Sequence, residues 1–241
     1  FKMVSTLKYG ETERKNLTAL KSNTIIFLSE FFGTLLLVFM TCMGCTMQKD
    51  LSTLQNSLVP GLVVMIIIHI FGPISGAHVN PAVSIAHLII NKPSILEIVV
   101  YIVAQLIGGV SGYGLLMVIT PTKYYNVSGH CLNLPHTELK DWQAVAAEFL
   151  MTFVMLLAVC ATWDKRNAKI QDSVSLRIGL LVATLNMIGG TYTSTSMNPA
   201  RSFGPAIWKG DLRHHWIYWV GPLLGSIVAS LFYKYVLMRF E

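Results

Sequence analysis

The sequence predicts an all-α polytopic membrane protein, on three observations. Charge is scarce, with 18 Lys and Arg and 12 Asp and Glu in 241 residues, or 12%, where a soluble domain carries about 25%. The hydrophobic fraction is 53% and the mean hydropathy +0.56. The apolar residues gather in six long runs, 24–47, 57–71, 95–119, 142–162, 174–189 and 216–237. A hydrocarbon core ~30 Å thick takes about 20 helical residues to cross. Lipid offers backbone groups no hydrogen-bond partner, so each run is expected to be a helix. The composition excludes a disordered chain and argues against a soluble enzyme, whose surface needs more charge. The net charge of +6 reads as loop charge set by topology, not as a nucleic-acid footprint.

Taken in order, residues 1–22 are polar and charged and form a cytoplasmic tail, without the short apolar core of a signal peptide. Residues 23–120 hold three spans and one short helix, 121–141 an extracellular connecting loop, and 142–238 three spans and a second short helix. The second and fifth spans are short and are expected to tilt or to borrow flanking residues. The short helices are expected over 79–90 and 197–208, too short to cross. Each opens on Asn-Pro-Ala: Asn80, Pro81, Ala82 and Asn198, Pro199, Ala200. Proline suits a first helical turn because its missing N–H would be unpaired there, and Asn before it is a good N-cap. Each is preceded by Gly-, Ser- or Thr-rich chain, 72–78 and 191–196. Irregular backbone at membrane depth is tolerated only where it lines a water-filled cavity or is buried in protein.

The two halves repeat. Glu30 precedes Asn80 by 50 residues and Glu148 precedes Asn198 by 50, so both pairs share an offset of 118. Near offset 117, Tyr101 matches Tyr218 and Gly108 matches Gly225. Three spans per half is an odd number, so the second copy enters from the opposite side, an inverted repeat with its axis in the membrane plane. The short helices then meet at the midplane, Asn to Asn. With the N-terminus cytoplasmic, twelve of the 18 Lys and Arg face inside and six outside, which puts both termini in the cytoplasm of a multi-pass cell-membrane protein. The sequon Asn126-Val127-Ser128 then falls outside. A carboxylate within a span costs of order 2.5–3.5 kcal/mol on insertion scales. Glu30 and Glu148 are therefore expected to face protein and to accept hydrogen bonds from the irregular chain of their own half. Cys42, Cys45 and Cys160 lie in apolar runs and are expected as free thiols, since four cysteines are too few and scattered for a disulfide framework or a metal site. No cofactor is expected.

The paired Asn-Pro-Ala motifs, Ser75-Gly76-Ala77-His78 before the first and Arg201-Ser202-Phe203-Gly204-Pro205-Ala206 around the second resemble the aquaporin (major intrinsic protein) family over about residues 20–237. The resemblance implies the aquaporin fold, with six tilted helices and two half-helices, and a homotetramer in the lipid bilayer with one pore per subunit. It also implies passive flow of water or small uncharged solutes. Two helix N-termini at the midplane, each carrying roughly +0.5 charge, would repel cations and hydronium. The carbonyls of Gly76, Ala77, His78, Val79, Ser194, Thr195, Ser196 and Met197 would offer acceptors along the path, facing an apolar wall that includes Leu37 and Val182. His78 is expected to be a neutral packed residue.

In the family, selectivity resides at an outer constriction of four positions. Counting from the two motifs without gaps assigns them to Pro60, Asn186, Thr195 and Arg201. Strict water channels place an aromatic at the first position and His at the second. Ser202, Ala206 and Tyr218-Trp219 resemble the water-channel branch, while the filter resembles the glycerol-permeable insect branch called entomoglyceroporins. That branch usually carries a small residue where Asn186 stands. Pro for an aromatic and a carboxamide for an imidazole widen the gate, so water plus glycerol or urea is expected, with Phe71 or Tyr192 as side chains that would refill the space. A strict water channel is the alternative. A gradient-coupled transporter would need intramembrane acids free to bind a coupling ion, an enzyme a nucleophile and base, and an adhesion tetramer would give no flux.

Overall fold

The computed structural model describes the backbone of residues 2–47, 52–125 and 131–238; the sequon at 126–128 lies outside the described residues. The described residues form helices joined by loops and no strand: α1 (Lys2–Thr46), α2 (Thr53–Ser75), α3 (Pro81–Asn91), α4 (Ile95–Ile119), the single turn α5 (Thr122–Tyr125), α6 (Asp141–Trp163), α7 (Val174–Thr193), α8 (Pro199–Lys209) and α9 (Ile217–Phe232). Six are long and apolar enough to cross a membrane. Helical backbone starts at Lys2, ahead of the first span, over residues read from sequence as a tail.

The two spans that read as short are longer than their apolar runs. Ser52 starts α2 by accepting from Gln55 N at 3.2 Å while Gln55 Oε1 accepts from Ser52 N at 3.2 Å, which satisfies two otherwise orphaned donors. Helix α2 continues past Pro73 to a left-handed Gly76 at φ 87°, and α7 continues through Asn186 and Thr191 to a left-handed Ser194 at φ 57°. The polar residues that interrupt the apolar runs there include the buried Ser75 and Thr193 and the cavity-lining Asn186 and Thr191, while Ile74 and Tyr192 on the same turns are exposed.

Helices α1 and α4 pack together, as do α6 and α9, and α2 meets α7 across the axis relating the halves. The matched glycines make these crossings possible. A Cβ on Gly108 would lie 2.5 Å from the Phe31 carbonyl oxygen, and one on Gly225 2.5 Å from that of Phe149. Only a glycine lets the backbones approach that closely.

The termini leave on one face, called here the terminal face; the 131–140 segment lies on the other, the loop face. On the terminal face Asp164 caps the 3₁₀ segment Lys165–Ser173, pairs with Arg166 and accepts from Tyr233 Oη at 2.9 Å, while Arg166 Nη2 donates to the Leu237 carbonyl at 3.1 Å. Hydrogen bonds from the Arg166 side chain hold the Asp164 carboxyl well below the usual carboxylate range, against the opposing effect of burial. A carboxylate whose folded value is depressed stabilises the fold fully above its unfolded value of ~3.9 and ceases to do so as pH falls through the folded value. Asp164→Asn is therefore expected to lower the thermal midpoint in detergent at pH 7. The difference from wild type should shrink only below about pH 4. Equal midpoints at pH 7 would sink the idea.

Candidate functional site

The two irregular segments before α3 and α8 carry an unusual backbone. Ala77 and Val79 have φ of 47° and 42°, and Ser194, Thr195 and Met197 have 57°, 36° and 53°. Left-handed conformations cost L-residues about 1–3 kcal/mol each, most for a β-branched residue such as Val79. Two buried carboxylates offset this. Glu30 accepts from the backbone N–H of His78 at 2.9 Å and Val79 at 2.7 Å, from Ser75 Oγ at 2.7 Å and from Gln105 Nε2 at 2.8 Å. Glu148 accepts from the N–H of Ser196 at 2.9 Å and Met197 at 2.8 Å and from Thr193 Oγ1 at 2.7 Å. The tyrosines repeat too: Tyr101 Oη donates to the Ser75 carbonyl at 2.5 Å and Tyr218 Oη to that of Thr193 at 3.0 Å.

The asparagines join the halves. Asn80 Nδ2 donates to the Met197 carbonyl and Asn198 Nδ2 to the Val79 carbonyl, each at 2.8 Å. Each side-chain oxygen caps its own helix, Asn80 Oδ1 accepting from Ala82 N at 2.9 Å and Asn198 Oδ1 from Ala200 N at 3.0 Å. An amide nitrogen has two protons, so each asparagine keeps one N–H beyond the cross-link. The cross-link also gives the Val79 and Met197 carbonyls a protein donor, and Asn133 Nδ2 gives the Ser194 carbonyl one at 2.9 Å.

A cavity runs past these groups. It is lined by Gly76 to Asn80, Thr195 to Asn198 and Arg201 on its polar side, and by Leu37, Val64, Ile68, Val83, Met155, Val159, Ile178 and Val182 on its apolar side. A second cavity opens at the loop face, lined by Cys45, Ser57, Cys131, Thr191 and Ser194 among others. Thr41, Pro60, Asn186 and Arg201 line both, and so mark where the two meet. Three of the four positions counted from the motifs are thus in one ring, and Thr195 lines the inner cavity beside it. Phe71 and Tyr192 line neither cavity.

The hydrogen bonding of this ring is partly committed. Asn186 Nδ2 donates to the Val182 carbonyl at 2.8 Å, and the Thr195 hydroxyl points to Met151 Sδ at 3.7 Å. Arg201 donates from Nη1 to the Cys131 carbonyl at 3.1 Å and to Asn133 Oδ1, and from Nη2 to Cys131 Sγ at 3.7 Å. His78 is buried, stacks on Tyr101 with ring centroids 4.2 Å apart and lies 3.2 Å from Ser84 Oγ through Nδ1. His87 packs 4.8 Å from the His78 ring and 5.4 Å from Trp163, which lines the cavity toward the terminal face.

Sequence reasoning missed Thr41, Gln105, Cys131 and Asn133, and it was wrong about Cys42. Cys42 is not a free thiol: it forms a disulfide with Cys131, while Cys45 and Cys160 are free. The bond fastens the interrepeat loop to the top of α1. The signal was there, since Cys42 ends a span on the face where Cys131 emerges, but a count of cysteines in apolar runs did not use it. Gln105 also breaks the repeat, because its match in the second half is Pro222 and the interrepeat loop takes over that side.

Six spans around two half-helices that meet end to end, beside a cavity with one polar and one apolar wall, define a membrane channel. The family model described as major intrinsic protein matches residues 17–233, and the chain belongs to that family of passive channels that conduct water. Sheep aquaporin-2 (Ovis aries) is 42% identical over 214 residues, 87% of this chain and 78% of its own. The human lens fiber major intrinsic protein is 39% identical over 213 residues, 87% and 80%. Among solved structures, the aquaglyceroporin from Plasmodium falciparum superposes with a TM-score of 0.78 at 27% identity, covering 89% of this chain and 97% of that one.

Proposed function

We propose that the channel passes water together with small neutral solutes of the size of glycerol and urea, and excludes protons and ions. The observation that carries this reading is the ring where the two cavities meet. Thr41, Pro60, Asn186 and Arg201 line it, with no aromatic ring among them. A fixed guanidinium supplies donors and repels cations. The Asn186 carboxamide oxygen, whose partner nitrogen donates to Val182, provides an acceptor to replace solvent around a hydroxyl or amide. The likeness to the Plasmodium aquaglyceroporin supports glycerol as a permeant.

At the midplane the free N–H of Asn80 and that of Asn198 hold a passing oxygen by its lone pairs. Such a water points its protons away in both directions and breaks a proton wire, and the positive ends of α3 and α8 add an electrostatic barrier. The backbone carbonyls on either side act as successive acceptors. We further infer a homotetramer in the cell membrane with cytoplasmic termini. The exposed Ile66, Ile70, Leu150 and Val154 suit lipid or a second copy, and a disulfide on the loop face suits an oxidising exterior.

Asn186→His tests the filter. An imidazole replaces the carboxamide and narrows the ring, so glycerol permeability in proteoliposomes should fall by about tenfold, equivalent to ~1.4 kcal/mol of added barrier, while water permeability changes little. Equal losses of both would place the solute barrier elsewhere.

A further inference from the structure

The filter arginine is held by a loop that is itself fastened by one covalent bond. Among the described residues, the acceptors of the Arg201 guanidinium, the Cys131 carbonyl, Cys131 Sγ and Asn133 Oδ1, all belong to the segment 131–133. On the second-repeat side the loop is hydrogen-bonded: Asn133 Nδ2 to the Ser194 carbonyl at 2.9 Å, Ser202 Oγ to Asn133 Oδ1 at 2.8 Å, Ser194 Oγ to the Leu134 carbonyl at 3.1 Å and His136 N to the Tyr192 carbonyl at 2.7 Å. On the first-repeat side it is tied to α1 through Cys42–Cys131. Both cysteines are buried, but Cys131 lines the mouth cavity and Cys42 does not.

We propose that the Cys42–Cys131 disulfide is a redox-sensitive positioning element for the filter, and that its reduction by a small thiol at the loop face closes the pore by releasing Arg201. The inference rests on the reading of Arg201 as a filter residue. The chemistry is thiol–disulfide exchange. A thiolate of the reductant, entering through the mouth cavity that Cys131 lines, attacks Cys131 Sγ and forms a mixed disulfide. Cys42 leaves as a thiolate and takes a proton. A second thiol of the reductant attacks the mixed disulfide, releasing Cys131, which is protonated in turn. The cysteines gain two electrons and two protons, and the reductant leaves as its own disulfide.

Without the covalent tie, the segment is held to the second repeat by a handful of hydrogen bonds, one of them buried, and it opens by local unfolding more readily than with the tie. Arg201 then loses these three acceptors together. A guanidinium released from its acceptors seeks others, and Asn186, whose amide nitrogen already donates to Val182, lines the same two cavities with its carboxamide oxygen uncommitted. Turning toward it lays the charged side chain across the path. Asn133 and Cys131 thus act on selectivity through Arg201, as positioning residues.

The test uses the full chain in proteoliposomes, with water and glycerol permeability measured before and after dithiothreitol. Free thiols are counted in parallel by alkylation and mass spectrometry. The expected result is a severalfold fall in both permeabilities, new alkylation at Cys42 and Cys131, and recovery on reoxidation. Arg201→Val should show no response to the reductant, because the blocking side chain is gone, whereas a purely structural disulfide would leave that variant as sensitive as wild type. The paired change Cys42→Ser with Cys131→Ser should match reduced wild type and ignore dithiothreitol. Unchanged flux after proven reduction, absence of the disulfide, failure of the thiol to reach it, or an equal response in Arg201→Val would each overturn the proposal. If Arg201→Val leaves the water-to-glycerol ratio of the oxidised protein unaltered, the filter reading beneath it fails; an altered ratio with no redox response fails the switch alone.

Discussion

Glu148→Gln is expected to reduce water flux to the lipid background and to lower the yield of folded protein. Glu148 is fully buried, and both its oxygens accept, one from Thr193 Oγ1 and Ser196 N, the other from Met197 N. An amide of the same shape turns one acceptor into a donor, facing at least one backbone N–H that has no water to turn to. A buried donor left unpaired costs about 1–3 kcal/mol, and the left-handed Thr195 and Met197 lose what holds them in place. The matching change Glu30→Gln should be milder. Gln105 touches that carboxylate through Nε2 while its own Oε1 has no partner among the described residues, so a flip of its amide gives the new NH₂ group an acceptor. Size-exclusion profiles, thermal midpoints and flux for the two variants would read this out. A conducting, fully stable Glu148→Gln, or a Glu30→Gln that is the worse of the two, would contradict the role given to these carboxylates.

Gly61→Val should be strongly damaging to the packing between spans. Any Cβ on Gly61 would lie 2.4 Å from the Gly179 carbonyl oxygen, 2.6 Å from the Ala183 Cβ and 2.7 Å from the Ala183 nitrogen. Two of these are backbone atoms, so no rotamer change relieves the clash and α2 and α7 must part. Overpacking of this kind costs about 1–3 kcal/mol and occasionally more. The crossing lies beside Pro60 on α2 and within two turns of Asn186 on α7, so the ring that both residues line is distorted as well. The expected outcome is a large drop in thermal midpoint, with an altered water-to-glycerol ratio in whatever protein folds. Gly61→Ala should show the same effects to a smaller degree. A variant with wild-type midpoint would mean that the helices cross more loosely than these distances state.

Much of this was legible in the sequence because lipid enforces simple rules. The span Ile95–Ile119 matched its apolar run, since Ser94 caps one end and Gln105 is too isolated to break the pattern. Asn80 and Asn198 could be placed as helix caps from residue chemistry alone, and the offset of 118 pairs the two carboxylates. The ends of α2 and α7 were less legible, because pore-facing polar residues mimic the end of a span. What the sequence hid was contact between distant segments. That Asn133 would accept from Arg201, or Met151 receive the Thr195 hydroxyl, depends on how a connecting loop and a neighbouring helix fold over the second repeat. No local pattern encodes either. The turned-away Thr195 hydroxyl also leaves fewer filter groups for solute than residue types alone suggested.

The central claim is that the ring at Thr41, Pro60, Asn186 and Arg201 is wide enough for more than water. Its most direct test is wild-type protein in proteoliposomes, followed by stopped-flow light scattering: shrinkage under sucrose for water, then re-swelling under glycerol and under urea, each against protein-free vesicles. Fast shrinkage with solute re-swelling well above the protein-free rate is the predicted result. Fast shrinkage with re-swelling at the protein-free rate would contradict it and leave a channel for water alone.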